Sequence, residues 1–283
     1  MNKQKIALLV DSGCDLPEKF VKRDDVFVLP LKISFHDGHF LDGVDITGDE
    51  VLARLSQEVP KTALPDGQMI FDTLEKICQK GFEKVIAITI SAGLSGTNNA
   101  VRLQLAEFPQ LETLLVDTKN IGIGAGFSAI LACELIDKGA SFEEISTQIN
   151  KAVPKSKIFF SVATLEYLKK GGRIGLVSAI LGNALSLKPV ISCNDEGVYY
   201  TVTKTRGLNK SREKLRQLIL ERVPQKGQFR FAVAMAGAKE EAAAAYAWLK
   251  EKFPETEVIY APISPALSVH TGPGLLGIGI QEF

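Results

Sequence analysis

The sequence predicts an α/β protein with two domains. The N-terminal one is an α/β domain around a parallel sheet, and the C-terminal one is an α+β domain with a mixed sheet. Three observations carry this reading. The chain has 283 residues, about two domains at ~150 residues each. Up to Pro154, short β-branched runs alternate with capped amphipathic segments, the pattern of a parallel sheet covered by helices. Beyond it, strands follow one another in hairpin fashion, and helical patterns come only later. The boundary is placed at 152, giving units 1–152 and 153–283.

The elements follow in order. Ile6–Val10 reads as a buried strand, and Asp15 before Leu16-Pro17 reads as a helix N-cap with an early proline. Val26–Phe35 is strand-like. His36-Asp37-Gly38-His39 is a hairpin turn in which Asp-Gly supplies positive φ angles. Thr47 with Glu50, and Ser141 with Glu144, have the spacing of capping boxes. Val85–Ile90 and Thr113–Val116 are further strands, with a helix from about Ser95 between them.

In the second half, Lys157–Ala163, Val190–Cys193 and Gly197–Thr203 read as strands, the last two paired around Asn194-Asp195-Glu196. Leu215, Leu218, Ile219 and Val223 mark a helix. Arg230–Ala236, Glu257–Tyr260 and Leu275–Ile280 complete the sheet, and Tyr246, Leu249 and Phe253 mark a helix between them.

Composition narrows the function. Thirty-three Lys+Arg balance thirty-three Asp+Glu, which speaks against broad nucleic-acid binding, since that needs a basic surface. Cys14, Cys78, Cys133 and Cys193 stand far apart with no C-x-x-C pair, so a zinc ribbon is excluded and each reads as a small buried hydrophobe. No apolar run reaches the ~18 residues of a membrane helix, and the N-terminal apolar run is too short for a signal peptide. The expected location is the cytoplasm. No metal-ligand spacing, G-x-S-x-G elbow or Walker A motif is present. Gly122-Ile123-Gly124-Ala125-Gly126 is too short for a dinucleotide fingerprint.

Ligands of open α/β sheets sit outside the carboxyl ends of the strands. Asp11, Ser12, Ser91, Ser95, Asp117 and Thr118 fall at such ends and are expected in one crevice. Ser91-Ala92-Gly93-Leu94-Ser95-Gly96-Thr97 joins a strand to a helix, and Ser95 either caps the helix or helps its amides hold an anion. Thr62, in Lys61-Thr62-Ala63-Leu64-Pro65, either shapes a turn or donates to an anion. Arg173, after Gly171-Gly172, offers a planar fork for a carboxylate or phosphate or is a surface arginine. His270 precedes Thr271-Gly272-Pro273-Gly274 and is expected on a rigid loop. His36 and His39 read as hairpin residues rather than metal ligands. Leu176–Leu187, if helical, is apolar almost all round and belongs in a core or along an apolar cavity.

Taken in order, these segments resemble the DegV family, bacterial fatty-acid-binding proteins that serve fatty acid kinase. The resemblance spans nearly the whole chain. It rests on Val10-Asp11-Ser12 with Asp15-Leu16-Pro17, Asp42-Gly43-Val44-Asp45-Ile46, Lys61-Thr62, Ser91 to Thr97, Leu168 to Ile174, Lys188-Pro189, Arg206-Gly207 and His270 to Gly274. It implies two α/β domains with a long apolar tunnel near their junction and no cofactor. A long-chain fatty acid, such as palmitate or oleate, would fill the tunnel. Its carboxylate would meet Thr62, Ser95 and Gly96, with Arg173 and His270 completing the polar network.

Arg206 would face a separate fatty acid kinase, the acyl phosphate would pass to an acyltransferase, and transient membrane contact is compatible with such a carrier. The competing reading is an independent phosphotransferase or hydrolase using His270 and Ser95. One departure stands out: the family's Thr-Ser-Gln-Pro-Ser loop is here Thr62-Ala63-Leu64-Pro65-Asp66. Asn98 also stands where the family commonly has an aromatic.

Overall fold

The computed structural model describes residues 2–180 and 187–283. The first half runs β1 (Ile6–Asp11), α1 (Glu18–Val21), β2 (Val26–Leu29), β3 (Lys32–Phe35), β4 (Gly38–Leu41), α2 (Gly48–Arg54), β5 (Lys61–Ala63), α3 (Gly67–Gln79), β6 (Lys84–Thr89), α4 (Thr97–Leu105), β7 (Glu112–Asp117), α5 (Ile123–Asp137) and α6 (Phe142–Ala152). The second half runs β8 (Ser156–Ser161), α7 (Glu166–Lys170), β9 (Leu187–Cys193), β10 (Tyr199–Arg206), α8 (Leu208–Leu220), β11 (Phe229–Ala236), α9 (Lys239–Lys252), β12 (Val258–Pro262), α10 (Pro265–Thr271) and β13 (Leu275–Glu282).

Strands β2-β1-β6-β7 form a four-stranded sheet in which every pairing is parallel. The order β10-β9-β8-β13-β11-β12 forms a mixed six-stranded sheet, antiparallel except between β11 and β12. A small antiparallel sheet, β4-β3-β5, completes the fold. Both fold-class expectations, a parallel and a mixed sheet, are met. Helices α8 and α9 pack on one face of the six-stranded sheet, against Phe231, Val233 and Ile278.

Helix α5 has no polar face: all but two of its residues are buried. It packs against β1 and β6 of the parallel sheet and against β8, β11 and β13 of the mixed one. An apolar surface all round is what a helix needs between two sheets. The glycines at its start serve this packing rather than a nucleotide. A Cβ on Gly126 would lie 2.3 Å from the Cys14 carbonyl oxygen, and one on Gly124 2.6 Å from Asn120 Oδ1.

Several local expectations are corrected. Asp15 does not cap α1. Pro17 holds that position, while Asp15 closes a 3-10 turn, Ser12–Cys14, in the left-handed conformation. Val26–Phe35 is two strands in different sheets, because Pro30 lacks the N–H a continuous ladder needs and the Leu31 N–H goes to Ser12 Oγ. The hairpin forms, with Phe35 opposite Gly38, but none of residues 36–38 has positive φ. Instead, Arg54 stacks 3.6 Å over Phe35 and bonds to Asp37 at 2.5 Å.

His270 lies in the last turn of α10, not in a loop. Cys14, Cys133 and Cys193 are buried as expected, and Cys78 is half-buried. Of Leu176–Leu187, the first residues lie in a 3-10 helix, Gly175–Ile180, with Val177 buried and Leu176 58% exposed, so this part is not buried all round. Residues 181–186 lie outside the described residues.

Candidate functional site

The strand ends divide their work. Asp11 accepts the Ile90 N–H at 2.9 Å and is fully buried. Thr118 donates to the Thr89 carbonyl, and Asp117 accepts from Ala92 N–H. Ser91 donates to the carbonyl of Gly197 at 2.8 Å, at the tip of the β9–β10 hairpin. A Cβ on Gly93 would lie 2.9 Å from the same carbonyl. Gly93 therefore serves the contact with the second half of the chain. The six residues do not share one crevice: Ser95 lines one cavity, Asp11 and Ser12 another, and Ser91, Asp117 and Thr118 line neither.

A cavity of about 250 Å³ collects Thr62, Ser95, Gly96, Arg173 and His270. Four different parts of the fold deliver them. Thr62 lies on β5 opposite Ile33, Ser95 and Gly96 precede α4, His270 ends α10, and Arg173 follows α7. The remaining lining includes Leu31, Leu64, Leu94, Ile121 and Tyr199, so the polar groups share the cavity with a largely apolar wall. Ser95 Oγ lies 2.8 Å from Thr97 Oγ1 and accepts the Thr97 N–H at 3.2 Å, but Gly96 holds the cap position of α4, so Ser95 stands one residue outside the helix cap and lines the cavity.

His270 Nε2 lies 2.7 Å from Thr62 Oγ1. Burial first, and the Arg173 charge second, push the His270 ring down to about 4, so it is neutral at physiological pH. Its Nδ1 is buried and, among the described residues, has no hydrogen-bond partner. A buried N–H without an acceptor is costlier than a bare lone pair, so the proton belongs on Nε2, donated to Thr62. The Thr62 hydroxyl proton is then free to point at a ligand. Among the residues lining this cavity Arg173 is the one cation, exposed at the mouth, its Nη1 bonded to the Gly171 carbonyl at 2.8 Å. His270 pairs with Thr62 rather than with Ser95, so the Ser95–His270 pair of the competing reading is not formed.

Gly171 makes room for the ring: a Cβ there would lie 2.1 Å from His270 Nδ1 and 3.1 Å from the Tyr167 carbonyl oxygen. Gly171→Ala is expected to push the ring toward solvent and to cost about 1–3 kcal/mol of stability. By NMR titration, the His270 pKa should climb from about 4 toward ~6.5. An unmoved titration would show that the ring tolerates the methyl.

The altered loop is resolved in structural terms. Leu64 lines the cavity, and Asp66 turns away from it, accepting the Met69 N–H at the start of α3 and pairing with Lys32. Asn98 donates to Thr89 Oγ1 at 3.0 Å. Arg206 stands exposed at the end of β10 and is not among the cavity's lining residues. His36 pairs with Glu58 and His39 with Ser34. Among the described residues no group of three His, Cys, Asp or Glu could hold a metal, and no helix is long and apolar enough to cross a membrane. Tyr199, Leu31 and Ile121 were not legible as cavity residues, since each sits in a strand or turn whose spacing says only that it is buried.

Two further cavities adjoin. One of about 30 Å³ shares Ile121, Tyr199, Leu267 and Thr271 with the first. It in turn shares Asp15 and Ile263 with a third, of about 570 Å³. Beside the third lie Asp11, Asp15 and Asp42, all buried. Burial, opposed by the Ile90 and Gly13 amides and reinforced by Asp42, pushes the Asp11 carboxyl up to about 7.

In the unfolded chain an aspartate titrates near ~3.9. As pH rises from about 4 to about 7, the unfolded state sheds a proton that the folded state keeps, so stability falls with pH by up to roughly 4 kcal/mol. Above about 7 the contribution of Asp11 no longer changes with pH. Asp11→Asn should flatten the dependence of Tm on pH across this window, whatever its absolute Tm. A slope equal to that of the parent would rule out Asp11 as its source.

Residues 5–282 match the model of the DegV family, described as "Uncharacterised protein, DegV family". A DegV domain-containing protein of Clostridium perfringens is 38% identical over 279 residues, covering 99% of each chain. A structure described as fatty acid binding of a DegV family protein from Thermus thermophilus superposes with a TM-score of 0.91 at 29% identity, covering 100% of both chains. A stearic acid-binding protein from Eubacterium ventriosum superposes with a TM-score of 0.89 at 28% identity over 98% of each. A full-length match at this level, on a fold of one parallel and one mixed sheet, leaves one conclusion: the chain belongs to the DegV family.

Proposed function

We propose that this protein binds a long-chain fatty acid, with the carboxylate between Thr62 and Ser95 and the chain running into the apolar cavities behind them. The observation that carries the reading is the 2.7 Å pair of Thr62 and neutral His270, set in an apolar wall beside Ser95, with Arg173 at the mouth. A carboxylate leaving water needs hydrogen bonds and a countercharge. Thr62 and Ser95 supply donors, the start of α4 at Gly96 supplies partial positive charge, and Arg173 supplies the countercharge that a neutral imidazole does not.

The three adjoining cavities, linked by shared walls, support a tunnel between the two halves of the chain, which we keep as domains 1–152 and 153–283. Each buried CH₂ contributes about 0.8 kcal/mol, so fifteen give roughly 12 before ordering costs. The solved DegV structures named above for fatty acids and stearic acid agree with this reading.

The role that follows is that of a cytoplasmic carrier without a cofactor or chemistry of its own. It shields the chain and presents the carboxylate to a fatty acid kinase, with Arg206 facing that partner and an acyltransferase using the acyl phosphate. Native mass spectrometry of the purified protein, then lipid identification after denaturation, tests it. One bound species in the fatty-acid mass range, or uptake of added oleate or palmitate by stripped protein, is the expected result. Stripped protein that takes up neither sinks the carrier. With the kinase present, Arg173→Ala should impair both binding and phosphoryl transfer, and Arg206→Ala phosphoryl transfer alone.

A further inference from the structure

Between the head-group cavity and the large outer cavity, the small one is walled by apolar side chains such as Ile123, Phe160 and Leu275, with one carboxyl among them, Asp15. Asp15 is 8% exposed. Its Oδ1 accepts the Ser264 N–H at 2.8 Å. Its Oδ2 is buried and, among the described residues, has no hydrogen-bond partner.

That oxygen lies over Gly122, where a Cβ would come within 2.9 Å of it. Gly122 has φ +58° and lines the same cavity, so any side chain there would close off the space in front of Oδ2. Asp15 itself is held at φ 47°, ψ 40°, the left-handed region that a non-glycine residue occupies only at some cost. A strained backbone thus delivers a carboxyl to an apolar channel and leaves one of its oxygens bare. Leaving a buried polar atom unpaired is costly, so the geometry calls for a partner that arrives from outside the chain.

We propose that Asp15 reads an oxygen substituent on the bound chain, so that the site takes hydroxy- or oxo-fatty acids, the carboxylate at Thr62 and Ser95 and the chain oxygen at Asp15 Oδ2. This rests on the fatty-acid reading above and names its substrate class. Burial pushes the Asp15 carboxyl well above the usual carboxylate range, opposed by the Ser264 amide and hydroxyl and reinforced by Asp42 and Asp11. No lysine or arginine lines either cavity that Asp15 borders. Since Oδ1 accepts from Ser264, the proton sits on Oδ2. The bare atom is then an O–H donor, matched by a hydroxyl or ketone oxygen and not by a methylene.

The test is a set of binding isotherms on delipidated full-length protein with stearate, positional isomers of hydroxystearate and the matching oxostearates. One position along the chain should bind about tenfold tighter than stearate, some 1.4 kcal/mol, with the oxo analogue sharing the preference. Asp15→Asn keeps an acceptor for Ser264 and an N–H donor toward the channel, so it should retain the preference. Asp15→Gly, which tolerates positive φ, should lose it while stearate affinity stays within about twofold, a few tenths of a kcal/mol. If Asp15→Gly does not fold, the parent series with Asp15→Asn still decides.

Stearate binding with no isomer tighter than stearate overturns the proposal, as does a preference that survives in Asp15→Gly; the bare oxygen would then be met by water. Failure of every chain to bind, stearate included, overturns the fatty-acid reading itself.

Discussion

Removing both hydroxyls, Thr62→Ala with Ser95→Ala, is expected to abolish measurable binding of a long-chain fatty acid, while each single change lowers affinity by about 1–2 kcal/mol. At 1.4 kcal/mol per decade that is roughly 5- to 30-fold for each. The two groups serve one carboxylate, so their effects should not simply add.

An order is also expected. Thr62→Ala leaves the Nε2–H of His270, now 2.7 Å from Thr62 Oγ1, without its acceptor, beside an Nδ1 that has no partner among the described residues. Ser95→Ala leaves only the Thr97 amide, on the first turn of α4, to find water. Thr62→Ala should therefore be the more damaging. Displacement of a fluorescent fatty acid from stripped protein at neutral pH measures both. Unchanged isotherms in the double variant would remove the head group from this cavity, whereas loss of binding at unchanged Tm would place it there.

The largest expected loss of stability comes from Gly126→Ala. The added methyl would lie 2.3 Å from the Cys14 carbonyl oxygen, a backbone atom that cannot swing aside. The Ser12–Cys14 turn crosses α5 at this point, and Gly122 N–H bonds to the Gly13 carbonyl at 2.9 Å, so turn and helix would have to separate. Overpacking costs about 1–3 kcal/mol where side chains can yield, and more where backbone must move; we expect at least the upper figure, read by denaturant unfolding.

Gly48→Ala is the control. Its nearest neighbour would be 3.4 Å away and its φ is ordinary, so a helix-favouring alanine in α2 should be neutral or stabilise by up to ~1 kcal/mol. Equal losses in both variants would show that the approach of the turn to α5 is not what glycine protects.

Much of the fold is legible because short-range patterns write it. The capping boxes at Thr47–Glu50 and Ser141–Glu144 form as their spacing says. The Val85–Ile90 run is buried in the parallel sheet, since β-branched runs bounded by turns have few other uses. Where one residue answers to two demands, the pattern misleads. Asp15 has the composition of a helix cap, but a bond to Ser264, 249 residues away, holds it elsewhere. Val26–Phe35 reads as one strand because the preference of Pro30 for a break is weaker in the pattern than the β-branched residues around it.

The candidate site divides the same way. Residue type and local turn chemistry made Thr62, Ser95, Arg173 and His270 candidates, each with a structural alternative left open; it was the resemblance to the DegV family that grouped them, with Gly96, around one carboxylate. That these five line one cavity, that His270 is neutral and donates to Thr62, and that Leu64 and Tyr199 complete the wall were decided by tertiary structure. Burial and the nearness of groups up to 208 positions apart set proton positions and charge. Neither quantity exists in a chain until its strands and helices have packed.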